Sequence, residues 1–167
     1  MAADPTDVIV TGGSLGITTA PTVTNFAPVT LDGTAKTTTA TMDAFQVNDA
    51  RGSGAGWNVT VQATQFAEWD STLGNYVLLG KKLAQNSMSM PAPTVAANGT
   101  TSASPSITAG PYNIDAAGAV KIASAAVDAG MGKYDFTQGG ALTLSVPANT
   151  YAKTYRSEAT VSVVTGP

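Results

Sequence analysis

The run Trp57-Asn58-Val59-Thr60-Val61-Gln62-Ala63-Thr64 alternates apolar and polar residues without a break. Successive side chains of an extended chain point to opposite faces, so Trp57, Val59, Val61 and Ala63 are expected on a buried face and Asn58, Thr60, Gln62 and Thr64 on a wet one. The same period of two returns in Leu142-Thr143-Leu144-Ser145-Val146, which Pro147 closes. It returns again toward the end, where Tyr155, Ala159, Val161 and Val163 alternate with Arg156, Glu158, Thr160 and Ser162. Three such alternations predict an all-β chain. Its core is expected from Trp57, Val59, Val61, Leu142, Leu144, Val146, Val161 and Val163.

Outward from these runs, shorter candidate strands lie at Asp7–Thr11, Leu15–Thr18, Val29–Leu31, Thr37–Met42, Phe45–Asn48, Tyr76–Leu79 and Val120–Ala126. Turn formers separate them: Gly12-Gly13, Asp32-Gly33, Gly52–Gly56, Asn98-Gly99 and Gly139-Gly140. Short strands at near-regular spacing with such separators predict a single antiparallel β-sandwich-like domain over residues 14–167. Residues 1–13 then form either its first strand or an extended arm. Ala116–Ala129 is alanine-rich, but Gly118, Val120, Ile122 and Val127 favour a strand over a helix. From Ser87 to Pro111 the chain is rich in Pro, Ala, Thr and Ser with little periodicity, and a long loop is expected there, with Met88 and Met90 as core gap-fillers or as loop residues.

Composition narrows the chemistry. Of 167 residues, 43% are hydrophobic, enough for a core, while only 11% are charged, against roughly 25% in an average soluble domain. The chain has no histidine and no cysteine. That removes Ser-His-Asp catalysis, thiol catalysis, disulfides and His- or Cys-based metal sites. Basic residues number 8 against 11 acidic, for a net charge of −3. They are scattered singly apart from Lys81-Lys82, which argues against nucleic-acid binding. No apolar run approaches the about 18 residues of a membrane-spanning helix. The start, Met1-Ala2-Ala3-Asp4-Pro5, has neither a basic nor an apolar leader region. Either the chain is intracellular, or this is the start of a mature secreted chain whose signal peptide has been removed.

Several constellations have plain structural readings. Gly52-Ser53-Gly54-Ala55-Gly56 resembles a phosphate loop in composition, but it runs into a strand and no Gly-Lys-Ser/Thr follows, so a flexible hairpin connection is expected. Glu68 and Asp70 flank Trp69, yet a carboxylate pair for glycoside hydrolysis must face across a cleft of about 5–9 Å. At i and i+2 on one strand they read as a solvated strand end. Asp32, Asp43, Asn48 and Asp49 offer oxygen ligands without a calcium-loop spacing and read as turn caps. The sequons Asn58-Val59-Thr60 and Asn98-Gly99-Thr100 are weak, the second being the better placed. No catalytic residue, cofactor or metal is expected.

Val8-Ile9-Val10 is β-branched and follows a short polar lead. It reads first as the opening strand of the domain's own sheet. The alternative is a donor strand that completes a neighbour's open sheet edge and builds a filament or homopolymer.

The run Val47-Asn48-Asp49-Ala50-Arg51-Gly52-Ser53-Gly54-Ala55-Gly56-Trp57-Asn58-Val59-Thr60-Val61 resembles the first signature of the WxL-domain family of Gram-positive surface proteins. Leu142-Thr143-Leu144-Ser145-Val146-Pro147-Ala148-Asn149-Thr150-Tyr151-Ala152-Lys153-Thr154-Tyr155 looks like the approach to its second signature. Gly12-Gly13-Ser14-Leu15-Gly16-Ile17-Thr18 is similar to how such domains begin. Valine stands at Val59 where the first signature has leucine, and at Val161 where the second has tryptophan. The resemblance implies a secreted β-sandwich-like domain that sits on the cell wall, often by non-covalent contact with peptidoglycan. The expected role is therefore a non-enzymatic structural or adhesive surface protein. Its partners would be a cell-wall polymer or other copies of itself, with Trp57, Trp69 and Tyr155 as candidate contacts.

Overall fold

A computed structural model of the chain describes residues 6–166. Among these residues there are fifteen strands and no helix: β1 Leu15–Thr19, β2 Lys36–Ala40, β3 Phe45–Asp49, β4 Trp57–Ala63, β5 Ala67–Asp70, β6 Asn75–Tyr76, β7 Met88–Met90, β8 Thr94–Asn98, β9 Ser106–Ile107, β10 Tyr112–Asn113, β11 Val120–Ala125, β12 Gly132–Thr137, β13 Leu142–Val146, β14 Tyr155–Arg156 and β15 Ala159–Thr165. They form three four-stranded sheets, in the orders β1-β3-β12-β8, β15-β4-β11-β9 and β10-β7-β13-β2, and a small β14-β5-β6 sheet. The ladders are antiparallel, as the alternating pattern requires of sheets that keep one face wet. No helix long and apolar enough to cross a membrane is found among the described residues.

The first two sheets meet through aromatic rings. Trp57 on β4 lies 6.1 Å from Tyr134 and 6.4 Å from Phe136 on β12, and Phe136 stacks at 4.8 Å on Phe45 of the neighbouring β3. One continuous core joins these rings to Met88, Met90, Ile114, Leu142 and Leu144. Six of the eight expected core residues are buried; Val161 and Val163 are only half-buried. The reason is position. Both sit on β15, an edge strand that pairs with β4 alone, with Val161 opposite Val61 and Val163 opposite Val59.

Elsewhere tertiary context overrides the local pattern. Gly52–Gly56 is no hairpin turn, because β3 and β4 belong to different sheets and the glycines carry the chain from one to the other. Gly56 has φ +69°, and a Cβ there would sit 2.5 Å from the Ala125 carbonyl oxygen, so both backbone angle and space require glycine. Ser87–Pro111 holds β7, β8 and β9 rather than one long loop, and Met88 and Met90 are core residues. What anchors that segment is Asp115. Its buried carboxylate accepts hydrogen bonds from the Ser87 amide at 3.0 Å, the Ser87 hydroxyl at 2.8 Å and the Met88 amide at 3.0 Å. Val29–Leu31 makes no strand but packs Val29 and Leu31 against the core. Asp7–Thr11 joins no sheet, contrary to its first reading as the opening strand.

Replacing Trp57 with alanine deletes the largest fully buried side chain and leaves a cavity between two sheets. Its expected cost is about 3–5 kcal/mol, measurable as a lowered midpoint in urea unfolding followed by tryptophan fluorescence from the remaining Trp69.

Candidate functional site

The first-signature corner is built as a clamp. Asp49 ends β3 with its carboxylate buried, and Arg51 grips it with Nε at 2.8 Å and Nη2 at 2.8 Å. The same guanidinium donates to the Gly56 carbonyl at 2.9 Å and to the Thr165 hydroxyl at 3.0 Å, tying the crossing to the end of β15. Trp57 then enters the core, its Nε1–H donating to the Gly130 carbonyl at 2.9 Å. Its indole has no exposed surface, so the first of the candidate wall contacts is a folding residue with no face to offer a polymer. Arg51 beside Asp49 holds that carboxyl below the usual carboxylate range, and Asp49 raises the guanidinium in turn.

The other two candidates lie together on the β14-β5-β6 sheet. Tyr155 pairs with Glu68, and Trp69 with Tyr76. The Arg156 guanidinium stacks 3.7 Å from the centre of the Trp69 ring, and Tyr76 meets that indole edge-on at 5.0 Å. Tyr155 donates its hydroxyl hydrogen to the Tyr151 carbonyl at 3.0 Å. Tyr151 is 59% exposed, with the Lys81 ammonium 4.3 Å from its ring centre. Beside these tyrosines runs an open groove of about 460 Å³, walled by Phe26, Val29, Leu31, Leu144, Val146 and Tyr155, with Lys153 among its lining residues. Burial, and then the Glu68 charge, push the Tyr155 phenol up.

Basic residues scattered along the sequence converge here. Lys81, Lys82, Lys153 and Arg156, half of the chain's eight, surround this small sheet. Lys153 pairs with Glu68 at 2.8 Å. Glu68 also accepts the Lys81 amide at 2.9 Å, and Lys153 followed by that amide holds its carboxyl low. Asp70 accepts the Thr72 and Leu73 amides at 2.8 and 3.0 Å, capping a turn. Glu68 and Asp70 are thus committed to an ion pair and a cap and do not face each other as an acid and base. Asp32 caps its turn through the Thr34 amide and is held by the Thr34 and Lys36 side chains, whereas Asp43 caps no turn but accepts from the hydroxyl of Thr22 on a distant segment. Among the described residues no group of three or more carboxylates is placed to hold a metal ion.

Tyr151, Lys81 and Arg156 were not marked by the sequence pattern. For Tyr151 and Arg156 the signal was the close spacing of aromatic and basic residues in Tyr151-Ala152-Lys153-Thr154-Tyr155-Arg156, which gains meaning only when β5 brings Trp69 against it. Val161, where the second signature has tryptophan, sits on edge strand β15, away from this aromatic cluster in the pairing order. The arm residues Val8, Ile9 and Val10 are 85%, 91% and 87% exposed. At the arm's base a Cβ on Gly12 would collide with the Arg51 carbonyl oxygen, and the Gly13 amide donates to the Ala50 carbonyl at 2.7 Å.

Fold and site define an all-β sandwich-like domain with aromatic and basic side chains clustered about its small sheet. Residues 2–167 match the family model described as WxL domain surface cell wall-binding. The chain belongs to the WxL family and is a cell-surface protein carrying a cell wall-binding domain. Comparison with curated proteins and with solved structures gave no match.

The Asp49–Arg51 clamp has a pH signature. Because the folded-state pKa of Asp49 is lowered, its contribution to stability is complete above the ordinary carboxylate value and is lost as the pH falls through the lowered one. Asp49→Asn is expected to be less stable at neutral pH and to lose less on acidification below about pH 4. Urea midpoints of both proteins, measured from neutral pH downward, check this, and parallel pH profiles would contradict it.

Proposed function

We propose that the protein is held on the cell wall non-covalently, through peptidoglycan glycan laid along the Tyr151–Tyr155 groove. Supporting this are the family's wall-binding character and, above all, the exposed Tyr151 ring at the lip of an apolar groove. The C–H face of a sugar ring buries apolar area against an aromatic face, while its hydroxyls keep their hydrogen bonds at the rim. Lys153 supplies donors there, as do the amide edges of the Tyr151–Thr154 segment. A structural or adhesive role follows from attachment, with export by way of a leader that is removed. Trp69 acts through Arg156, which covers one face of its indole and keeps the small sheet rigid.

The test is retention on purified cell walls, with an unrelated acidic protein as the baseline. Tyr151→Ala is expected to weaken retention about tenfold, equivalent to roughly 1.4 kcal/mol, with an unchanged melting temperature because the ring is exposed. Retention no better than the baseline protein would dismiss wall binding; undiminished retention of Tyr151→Ala would dismiss the groove.

A second reading, assembly by strand exchange, is favoured by one observation: three β-branched side chains stand in solvent on an arm that joins no sheet. Such an arm supplies unpaired backbone groups and alternate apolar side chains to an open sheet edge of another copy. Negative-stain imaging over a concentration series should show filaments with the arm present and none after deletion of residues 6–11. Monomers at every concentration would rule this reading out.

A further inference from the structure

Beyond wall binding, one feature of the small sheet remains without a partner. After β6 the chain makes a turn, Val77-Leu78-Leu79-Gly80, closed by the Gly80 amide donating to the Val77 carbonyl at 2.9 Å. Its third residue needs a positive φ, a position that ordinarily takes glycine or asparagine. Here it is Leu79, at φ +58°, while glycine stands one residue later. A leucine held in the left-handed region is strained. The strain gains the fold no packing, because Leu78 is 90% and Leu79 97% exposed. Leu73, on the preceding turn of the same β5–β6 hairpin, is 71% exposed.

Cations outnumber acids beside this tip. Lys81 and Lys82 follow the turn directly, and Arg156 lies across β5 on the same small sheet. Among the described residues none of the three forms an ion pair. Of the nearby acids, Glu68 is paired with Lys153, while Asp70, capping the Leu73 turn, and Glu158, accepting from the Tyr76 hydroxyl, keep their charges, so three cations stand against two acids.

We propose that the Leu73–Lys82 segment is a lipid-contacting tip, inserting Leu78 and Leu79 into the boundary of an anionic bilayer while Lys81, Lys82 and Arg156 meet its headgroups. Narrow aliphatic projections ringed by basic side chains match an interface that is apolar within and anionic at its rim. A protein partner would instead call for a broad, flat face with aromatic anchors, whereas this tip offers only leucines on two tight turns. Two leucines and three cations give weak, reversible attachment, suited to a domain whose firmer hold is on another polymer.

Co-flotation of the purified chain with phosphatidylglycerol–phosphatidylcholine vesicles tests this, with pure phosphatidylcholine vesicles alongside. The expected result is binding to the anionic vesicles only, weakened by salt, and reduced at least tenfold by the double variant L78S/L79S and by K81E/K82E. Since both leucines are exposed, L78S/L79S should keep the parent melting temperature and, read in the same preparation, its retention on cell walls. Three outcomes would overturn the proposal: no binding to anionic vesicles, equal binding by L78S/L79S, or loss of wall retention in that variant with vesicle binding intact. Concentration-dependent dimers abolished by L78S/L79S, without vesicle binding, would reassign the tip to a second copy. Failure of wall retention in the parent chain leaves the vesicle measurement unaffected, so the two readings fall separately.

Discussion

Between Asp49 and Trp57 the chain leaves one sheet and enters the sheet facing it, and the rest of the sandwich depends on that crossing. Three glycines at positive φ make the path, but they specify no direction by themselves. Direction comes from the two ends. The buried Asp49 carboxylate is gripped by Arg51, which also reaches Gly56 and Thr165, and the Trp57 indole is fixed by the Gly130 carbonyl. A buried carboxylate without its partner would be costly, and so would an indole N–H without an acceptor. The crossing is therefore held at both ends by groups that cannot easily be released.

The residues that mark the family's first signature are spent on the corner: Val47 and Trp57 in the core, Asp49 and Arg51 in the clamp, glycines in the path. On and beside the small sheet, Trp69, Tyr76, Tyr151 and Tyr155 stand among four cations. There the side chains are half-buried or exposed, and cation–π contacts order the rings without hiding them. A chain of net charge −3 thus gathers half its cations about one small sheet, where Glu68, Asp70 and Glu158 also stand.

Strands with clean alternation were legible because one neighbour on each side and one wet face produce period two directly, as in β4 and β13. Others were not. β12, Gly132–Thr137, sets two charged residues among its six, yet its Tyr134 and Phe136 form the floor under Trp57. β7 to β9 lie in a Pro- and Thr-rich stretch whose order comes from Asp115, a residue distant in sequence from Ser87. The arm at Val8–Val10 carries a strand pattern and forms none, since β propensity needs a partner edge and none is taken up in this chain.

The sequence alone determined the class: period-two patterning forces pleated sheets, turn residues cut them short, and the absence of histidine and cysteine removes most reactive centres. It also located Trp69 and Tyr155 as aromatic residues of interest. Only the tertiary structure decided which aromatic residue faces solvent. In one dimension Trp57 stands out as a candidate contact and Tyr151 does not, but burial depends on what a distant strand lays over the ring. For Trp57 that strand is β12, and over Tyr151 no strand is laid.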